Sequence, residues 1–181
     1  MNLTKINTGI SGCFELISTS FNDERGSFLK IYQKDYFDKL QLCSDWVEQY
    51  YTTSHYGVLR GMHFQSPPYD MAKLVYCIDG DVLDVVVDLR LNSDTYGHFA
   101  KINLSATKKN MIYMPSGIAH GFLTMSKSAT LVYNVSSQYV STHDLGIKWD
   151  SFGFNWPLTP CQVSQRDLAF PDLSDFSSPF I

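Results

Sequence analysis

From Val58 to Ser136 the chain runs in short apolar or alternating blocks broken by Gly, Pro, Asn and Asp, with no long stretch of helical period. The pattern predicts strands at Lys73–Ile78, Val82–Leu89, Phe99–Leu104, Met111–Met114, Gly121–Met125 and Thr130–Val135, all rich in Val, Ile, Leu, Met, Phe or Tyr. Asp79-Gly80 between the first two reads as a two-residue hairpin turn, in which glycine supplies a positive φ without steric cost. Upstream, Gly12–Ile17 and Ser27–Ile31 read as strands, and Lys34–Leu42 as a short helix with Phe37 and Leu40 on its buried side; these elements are expected at the periphery. Downstream, Trp149–Pro157 and the Pro-punctuated tail from Thr159 carry little period, which predicts short helical turns packed on a barrel mouth. No repeat or low-complexity linker divides the chain, so the expectation is a single all-β domain over residues 1–181, a sandwich or barrel with short peripheral helices. Its strand edges need cover, and exchange of N-terminal strands across a homodimer would supply it.

Composition narrows the partners. The chain has 181 residues, 44% hydrophobic and 18% charged, which is the balance of a folded protein rather than a disordered one. A formal charge of -4 and the lack of a basic run argue against nucleic acid as the main partner. Met1-Asn2-Leu3-Thr4-Lys5 does not lead into an apolar signal stretch, and nowhere do about 18 apolar residues run together, so a cytoplasmic protein without a membrane partner is expected. Cys13, Cys43, Cys77 and Cys161 never form a Cys-x-x-Cys pair, which reads as free thiols rather than a zinc or redox site.

The chemistry concentrates in two places. The stretch from Gly57 through His63 to Gly80, followed by Pro115-Ser116-Gly117-Ile118-Ala119-His120, resembles the two halves of the cupin signature, which implies a jelly-roll fold. Metal-binding cupins carry two histidines and a glutamate in the first half; the corresponding positions here read His63, Gln65 and Lys73. A protonated lysine cannot ligate a divalent cation and repels one, so no metal is expected. A fixed cation in a dry cavity can instead stabilise a developing oxyanion, which makes Lys73 the candidate electrophile. His63 is suited to take a proton from carbon, and Asp167 is the candidate carboxylate that fixes its tautomer. Tyr133 could return a proton from the other face, and two-sided proton traffic beside a carbonyl amounts to epimerisation. His55, His98 and His143 have no such context and read as ordinary core or surface residues.

Asp23-Glu24-Arg25-Gly26, Gly57-Val58-Leu59-Arg60-Gly61-Met62-His63-Phe64-Gln65, Asp84-Val85-Val86-Val87-Asp88-Leu89-Arg90, His120-Gly121-Phe122-Leu123, Gly146-Ile147-Lys148-Trp149, Asn155-Trp156-Pro157 and Ser164-Gln165-Arg166-Asp167 occur in this order. Together they resemble the dTDP-4-dehydrorhamnose 3,5-epimerase family over nearly the whole chain. The resemblance implies a cupin jelly roll, a homodimer, a nucleotide-sugar substrate, no metal or cofactor, and a place in surface-polysaccharide sugar biosynthesis. It implies His63 as general base, Asp167 as its partner and Tyr133 as general acid, with Lys73 and His120 near the substrate's keto group. It further implies Arg25 and Arg60 on the diphosphate, a planar fork suited to that group, Tyr139 stacked on the base, and Asp144 and Arg166 at other substrate contacts. The chain departs from the family at Glu48-Gln49-Tyr50-Tyr51-Thr52, at Lys30 and at Asn134. Glu48, Gln49 and Lys30 are therefore counted with the substrate-binding residues, and a CDP-linked or GDP-linked 4-keto sugar, including a heptose, stays open beside the dTDP sugar, as does epimerisation at C3 alone. Readings of a different class are a 3,4-ketoisomerase, a non-catalytic sugar-nucleotide binding module and a metal-dependent cupin oxygenase.

Overall fold

A computed structural model describes residues 3–181; Met1 and Asn2, where the expected domain and the N-terminal stretch begin, lie outside the described residues. The strands are β1 (Leu3–Asn7), β2 (Phe14–Ser18), β3 (Ser20–Asp23), β4 (Gly26–Leu29), β5 (Glu48–His55), β6 (Leu59–Gln65), β7 (Lys73–Asp79), β8 (Asp81–Asp88), β9 (Phe99–Ser105), β10 (Asn110–Met114), β11 (Ile118–Thr124), β12 (Ser128–Val135) and β13 (Asp144–Gly146). Two short helices, α1 (Lys34–Lys39) and α2 (Gln165–Leu168), and a 3-10 turn at Leu173–Asp175 complete the elements. One sheet has the order β1-β2-β10-β7-β12-β5 and the other β13-β6-β11-β8-β9, while β3 and β4 form a separate hairpin. Every strand pair is antiparallel. This is the all-β jelly roll that the sequence predicts.

Burial explains the patterns. On β8, Val82 and Val86 join Ile102, Ile112, Phe122 and Leu131 between the sheets, whereas Leu83, Val85 and Val87 join Leu59, Phe64, Ile147 and Phe180 on the other face. A strand covered on both faces needs the near-continuous apolar run that β8 has. A third cluster sets Phe37 of α1 with Leu16, Leu74 and Met111. Cys13, Cys43, Cys77 and Cys161 are all free thiols.

Three local expectations are corrected. Asp79-Gly80 is not a hairpin turn, because β7 lies in the six-stranded sheet and β8 in the five-stranded one. Gly80 does adopt φ +74°, but a tight corner does not decide whether the strands it joins pair; β8 pairs with β11 and β9 instead. The tail packs Trp149, Trp156, Leu158 and Leu173 against the outward-facing cluster of the five-stranded sheet rather than only at a mouth, and Trp149–Pro157 contains no helix. Finally, β1, β3, β5, β6 and β13 were not among the expected strands. β5 is a polar strand in which only Ser54 is buried, and β6 is interrupted by Gly61, so neither shows clean alternation.

Candidate active site

Between the two sheets lies a cavity of about 340 Å³ whose lining includes His63 and Arg60 from β6, Lys73 from β7, His120 from β11, Tyr133 from β12 and Glu48 from β5. The neighbouring strands β6 and β11 approach closely beside it. Gly61 has φ +143°, and a Cβ there would stand 2.5 Å from Gly121 Cα; a Cβ on Gly121 would stand 2.6 Å from Met62 Sδ. Only glycine on both strands permits this approach. The register shifts between His120 and Phe122, leaving His63 directly opposite His120.

The freed Gly61 N–H donates to Asp167 Oδ2 at 3.1 Å, and Asp167 Oδ1 lies 2.8 Å from His63 Nε2. Asp167 reaches this point because Ser164 caps α2, its hydroxyl accepting from Asp167 N at 3.1 Å. Burial would raise the Asp167 carboxyl, but the hydrogen bond and charge of His63 and the Gly61 N–H outweigh it and hold the group below its usual range. A carboxylate only accepts, so His63 Nε2 donates and the lone pair is on Nδ1. Phe170 sets its ring at a steep angle against the imidazole, with centroids 5.8 Å apart. An imidazole held this way can take a proton.

Lys73 is buried and donates from Nζ to the His63 carbonyl at 3.2 Å. Burial pulls its ammonium down to about 8, while Asp144 and Asp84 oppose the fall. Beside it, His120 Nε2 lies 2.7 Å from Asp84 Oδ2, and both side chains are buried. Burial raises the Asp84 carboxyl despite the opposing pull of His120 and Lys73. Asp84 Oδ1 has no hydrogen-bond partner among the described residues. Lys73 from the six-stranded sheet and the Asp84-held His120 from the five-stranded sheet thus approach the cavity from its two sides, and Lys73 brings the cationic donor with which an oxyanion would be held.

Tyr133 comes from the opposite sheet to His63. Its ring stacks on Tyr50 at 4.8 Å and 12°, meets His120 at a steep angle at 6.0 Å, and its hydroxyl is 3.5 Å from Thr52 Oγ1. Burial pushes this phenol well above its ordinary range, so it keeps its proton until a strong base takes it.

Glu48, Tyr139, Asp144 and Arg166 link up along the cavity. Glu48 accepts from Tyr139 N at 2.9 Å, while Asp144 Oδ2 accepts from Tyr139 OH at 3.3 Å and from Arg166 Nη1 at 2.6 Å. Arg60 donates to Ser54 Oγ at 2.9 Å and also lines a neighbouring groove with His63, Ser164 and Arg166. Besides Asp167, which stands behind His63, three expected residues are outside the cavity lining. Gln49 alternates with Glu48 and Tyr50 and so turns to the other face, where its amide donates to Asn134 Oδ1 at 2.7 Å. Arg25 sits in the β3–β4 turn, its side chain 89% exposed and paired with Asp23. Lys30, just past β4, donates to Gln33 Oε1 at 3.3 Å. Sequence reasoning missed Tyr50, Thr52, Phe170 and the role of Asp84. Asp84 was discoverable as a carboxylate in the middle of an apolar strand, and Tyr50 and Thr52 through their alternation with Glu48.

The profile of the dTDP-4-dehydrorhamnose 3,5-epimerase family matches residues 7–175. A dTDP-4-dehydrorhamnose 3,5-epimerase from Methanothermobacter thermautotrophicus is 37% identical over 175 residues, 94% of each chain. The crystal structure of a dTDP-6-deoxy-D-glucose-3,5-epimerase from Legionella pneumophila, in complex with dTDP-4-keto-L-rhamnose, superposes with a TM-score of 0.92 at 32% identity, covering 97% of this chain and 95% of that one. A 3'-monoepimerase from Streptomyces bikiniensis, in complex with dTDP-quinovose, superposes with a TM-score of 0.88 at 29% identity, covering 93% and 87%. With the motifs in order, the jelly roll in place and the relatives matched along nearly their full length, this chain belongs to the dTDP-4-dehydrorhamnose 3,5-epimerase family.

Proposed function

We propose that the protein converts dTDP-4-dehydro-6-deoxy-D-glucose to dTDP-4-dehydro-L-rhamnose by epimerising C3 and C5. The 4-keto group acidifies both neighbouring carbons. His63 Nδ1 takes the proton, leaving an enolate whose oxygen is held by the Lys73 ammonium with His120 beside it, and Tyr133 delivers its own proton to the opposite face. The phenolate then recovers a proton from water, and His63 releases the one it took. The observation that carries this reading is the Asp167-held imidazole on one sheet facing a buried phenol on the other. Arg60 would bind the diphosphate, and Tyr139, Glu48, Asp144 and Arg166 would take the nucleoside end.

The working unit we propose is a homodimer. Phe21 and Phe28 oppose each other on the β3–β4 hairpin at 64% and 62% exposure, with Arg25 at its tip. A second copy would cover these rings and receive Arg25 and Lys30 at its own nucleotide. Proton NMR of the dTDP 4-keto sugar in D2O tests the reaction. Loss of both the C3 and C5 signals with formation of the L-rhamnose precursor supports the reading. Loss of C3 alone would make the protein a 3-epimerase, and loss of neither would move the substrate to a CDP-linked or GDP-linked sugar.

A further inference from the structure

Tyr133 and Tyr50 are direct cross-strand partners in the β5–β12 register, so their side chains leave the sheet on the same face. Their rings lie almost parallel, 12° apart, with centroids at 4.8 Å. The Tyr133 hydroxyl has one hydrogen-bond contact among the described residues, Thr52 Oγ1 at 3.5 Å, the far limit of a hydrogen bond. A contact that long does not hold a phenol in place. The Tyr133 ring is held by the face of Tyr50 and the imidazole of His120 at 6.0 Å. Tyr50 is 43% exposed, and its own hydroxyl makes no hydrogen bond among the described residues, so what it offers Tyr133 is a flat surface rather than a polar group.

We propose that Tyr50 is a positioning residue that holds the Tyr133 hydroxyl in line with the reacting carbon, on the face opposite His63. The proposal rests on the reading of Tyr133 as general acid. It separates two events that the reaction couples. The base His63 can remove a proton and return a deuteron from D2O to the same face, which gives exchange with the starting configuration kept. Inversion needs the other face, and so needs Tyr133 in place. A displacement of about 1 Å at an acid can cost up to about a hundredfold.

The test compares Tyr50→Ala, Tyr50→Phe and Tyr133→Phe with the unmodified protein, following the dTDP 4-keto sugar in D2O by proton NMR. Exchange at C3 of recovered substrate and formation of inverted product are read in the same sample. Tyr50→Ala is expected to lose inversion by about tenfold or more while exchange stays within about threefold. Tyr50→Phe keeps the ring and is expected to restore most of the inversion that alanine loses. Should alanine disturb the fold, as judged by circular dichroism, Tyr50→Leu replaces it, retaining bulk without the flat face. The proposal is overturned if Tyr50→Ala inverts at the normal rate, if exchange and inversion fall in parallel, or if Tyr50→Phe is as impaired as alanine. A Tyr133→Phe protein that inverts normally would remove the general acid itself, and that arm tells failure of the underlying reading from failure of the positioning role.

Discussion

Replacing Asp167 with asparagine changes one oxygen for an amide and almost no volume, yet both oxygens are committed. Oδ1 holds His63 Nε2 at 2.8 Å and Oδ2 accepts the Gly61 N–H at 3.1 Å. An asparagine must choose between them. With its oxygen toward His63, the amide NH2 faces the buried Gly61 N–H, donor against donor. With its NH2 toward His63, the imidazole is driven to carry its proton on Nδ1, the nitrogen that must be free to accept. The first arrangement leaves two buried donors opposed, at a cost of about 1–3 kcal/mol, the second holds the base in the wrong tautomer, and both lose a charge-assisted hydrogen bond worth about 1.5–3 kcal/mol to the imidazolium. At about 1.4 kcal/mol per factor of ten, the two effects lower kcat by roughly 10²- to 10⁴-fold. Asp167 does not line the cavity between the sheets, so KM should stay within about threefold. The assay is deuterium entry at C3 of the dTDP 4-keto sugar, with initial rates over a substrate series. An Asp167→Asn protein that keeps more than about a third of normal kcat, or that loses only in KM, refutes the carboxylate-held base.

Further outcomes are expected elsewhere in the molecule. Since Lys73 titrates at about 8, kcat/KM should fall as pH rises through that value; Lys73→Met should lower kcat about 10²- to 10³-fold and abolish that alkaline limb in a pH profile. Asp88 illustrates the acid side. Burial alone would raise it, but bonds from Arg90, Ser93 and Thr95 hold it at about 2. A folded pKa below the unfolded one gives stability that is complete above about pH 4 and lost as pH falls toward 2, on the order of 2 kcal/mol. Denaturant titrations should show this slope in the native protein and a flattened one in Asp88→Asn. Gly121→Ala would force a Cβ to within 2.6 Å of Met62 Sδ and 2.8 Å of Arg60 O, and thermal melts should show destabilisation of about 1–3 kcal/mol.

Much of the fold was legible because its strands are buried on at least one face. In β7, β8 and β12 the apolar pattern is dictated by packing between the sheets, and it survives in the sequence. The partnership of His63 and Asp167, 104 residues apart, has no local signature, but its anchor does: Ser164 three residues before Asp167 is an N-cap pattern that fixes where the carboxylate begins. The Asp79-Gly80 turn was misread because turn chemistry constrains φ at one residue and says nothing about which sheet receives the next strand. The alternation with Glu48 places Tyr50 on the cavity-facing side of β5, but its stack on Tyr133 is hidden for a related reason. In a strand as polar as β5, the alternation carries no burial signal, and the stack on Tyr133 exists only through the register between β5 and β12.

The groups at the metal-ligand positions of the cupin pattern explain why this cavity is built for proton traffic. His63 and His120 face each other in register, which elsewhere in the fold would suit a shared ion. Here each imidazole gives its Nε2 to its own carboxylate, Asp167 at 2.8 Å and Asp84 at 2.7 Å. Gln65 has no capacity left: its Nε2 donates to the Tyr69 and Gln138 carbonyls at 2.7 and 3.0 Å, and its Oε1 accepts from Val140 N at 2.6 Å, tying down two loops at the cavity edge. Lys73 supplies positive charge where a carboxylate ligand would supply negative charge. A carboxylate-held imidazole keeps its other nitrogen free, so what a single reversal such as Lys73→Glu would not restore is the second imidazole of the first half, because Gln65 stands there with its amide spent on the two loops. The same replacements leave the base His63 with His120 on one sheet and Tyr133 with the Lys73 cation on the other, so that proton removal and proton return come from opposite sides of an enolate whose charge Lys73 offsets.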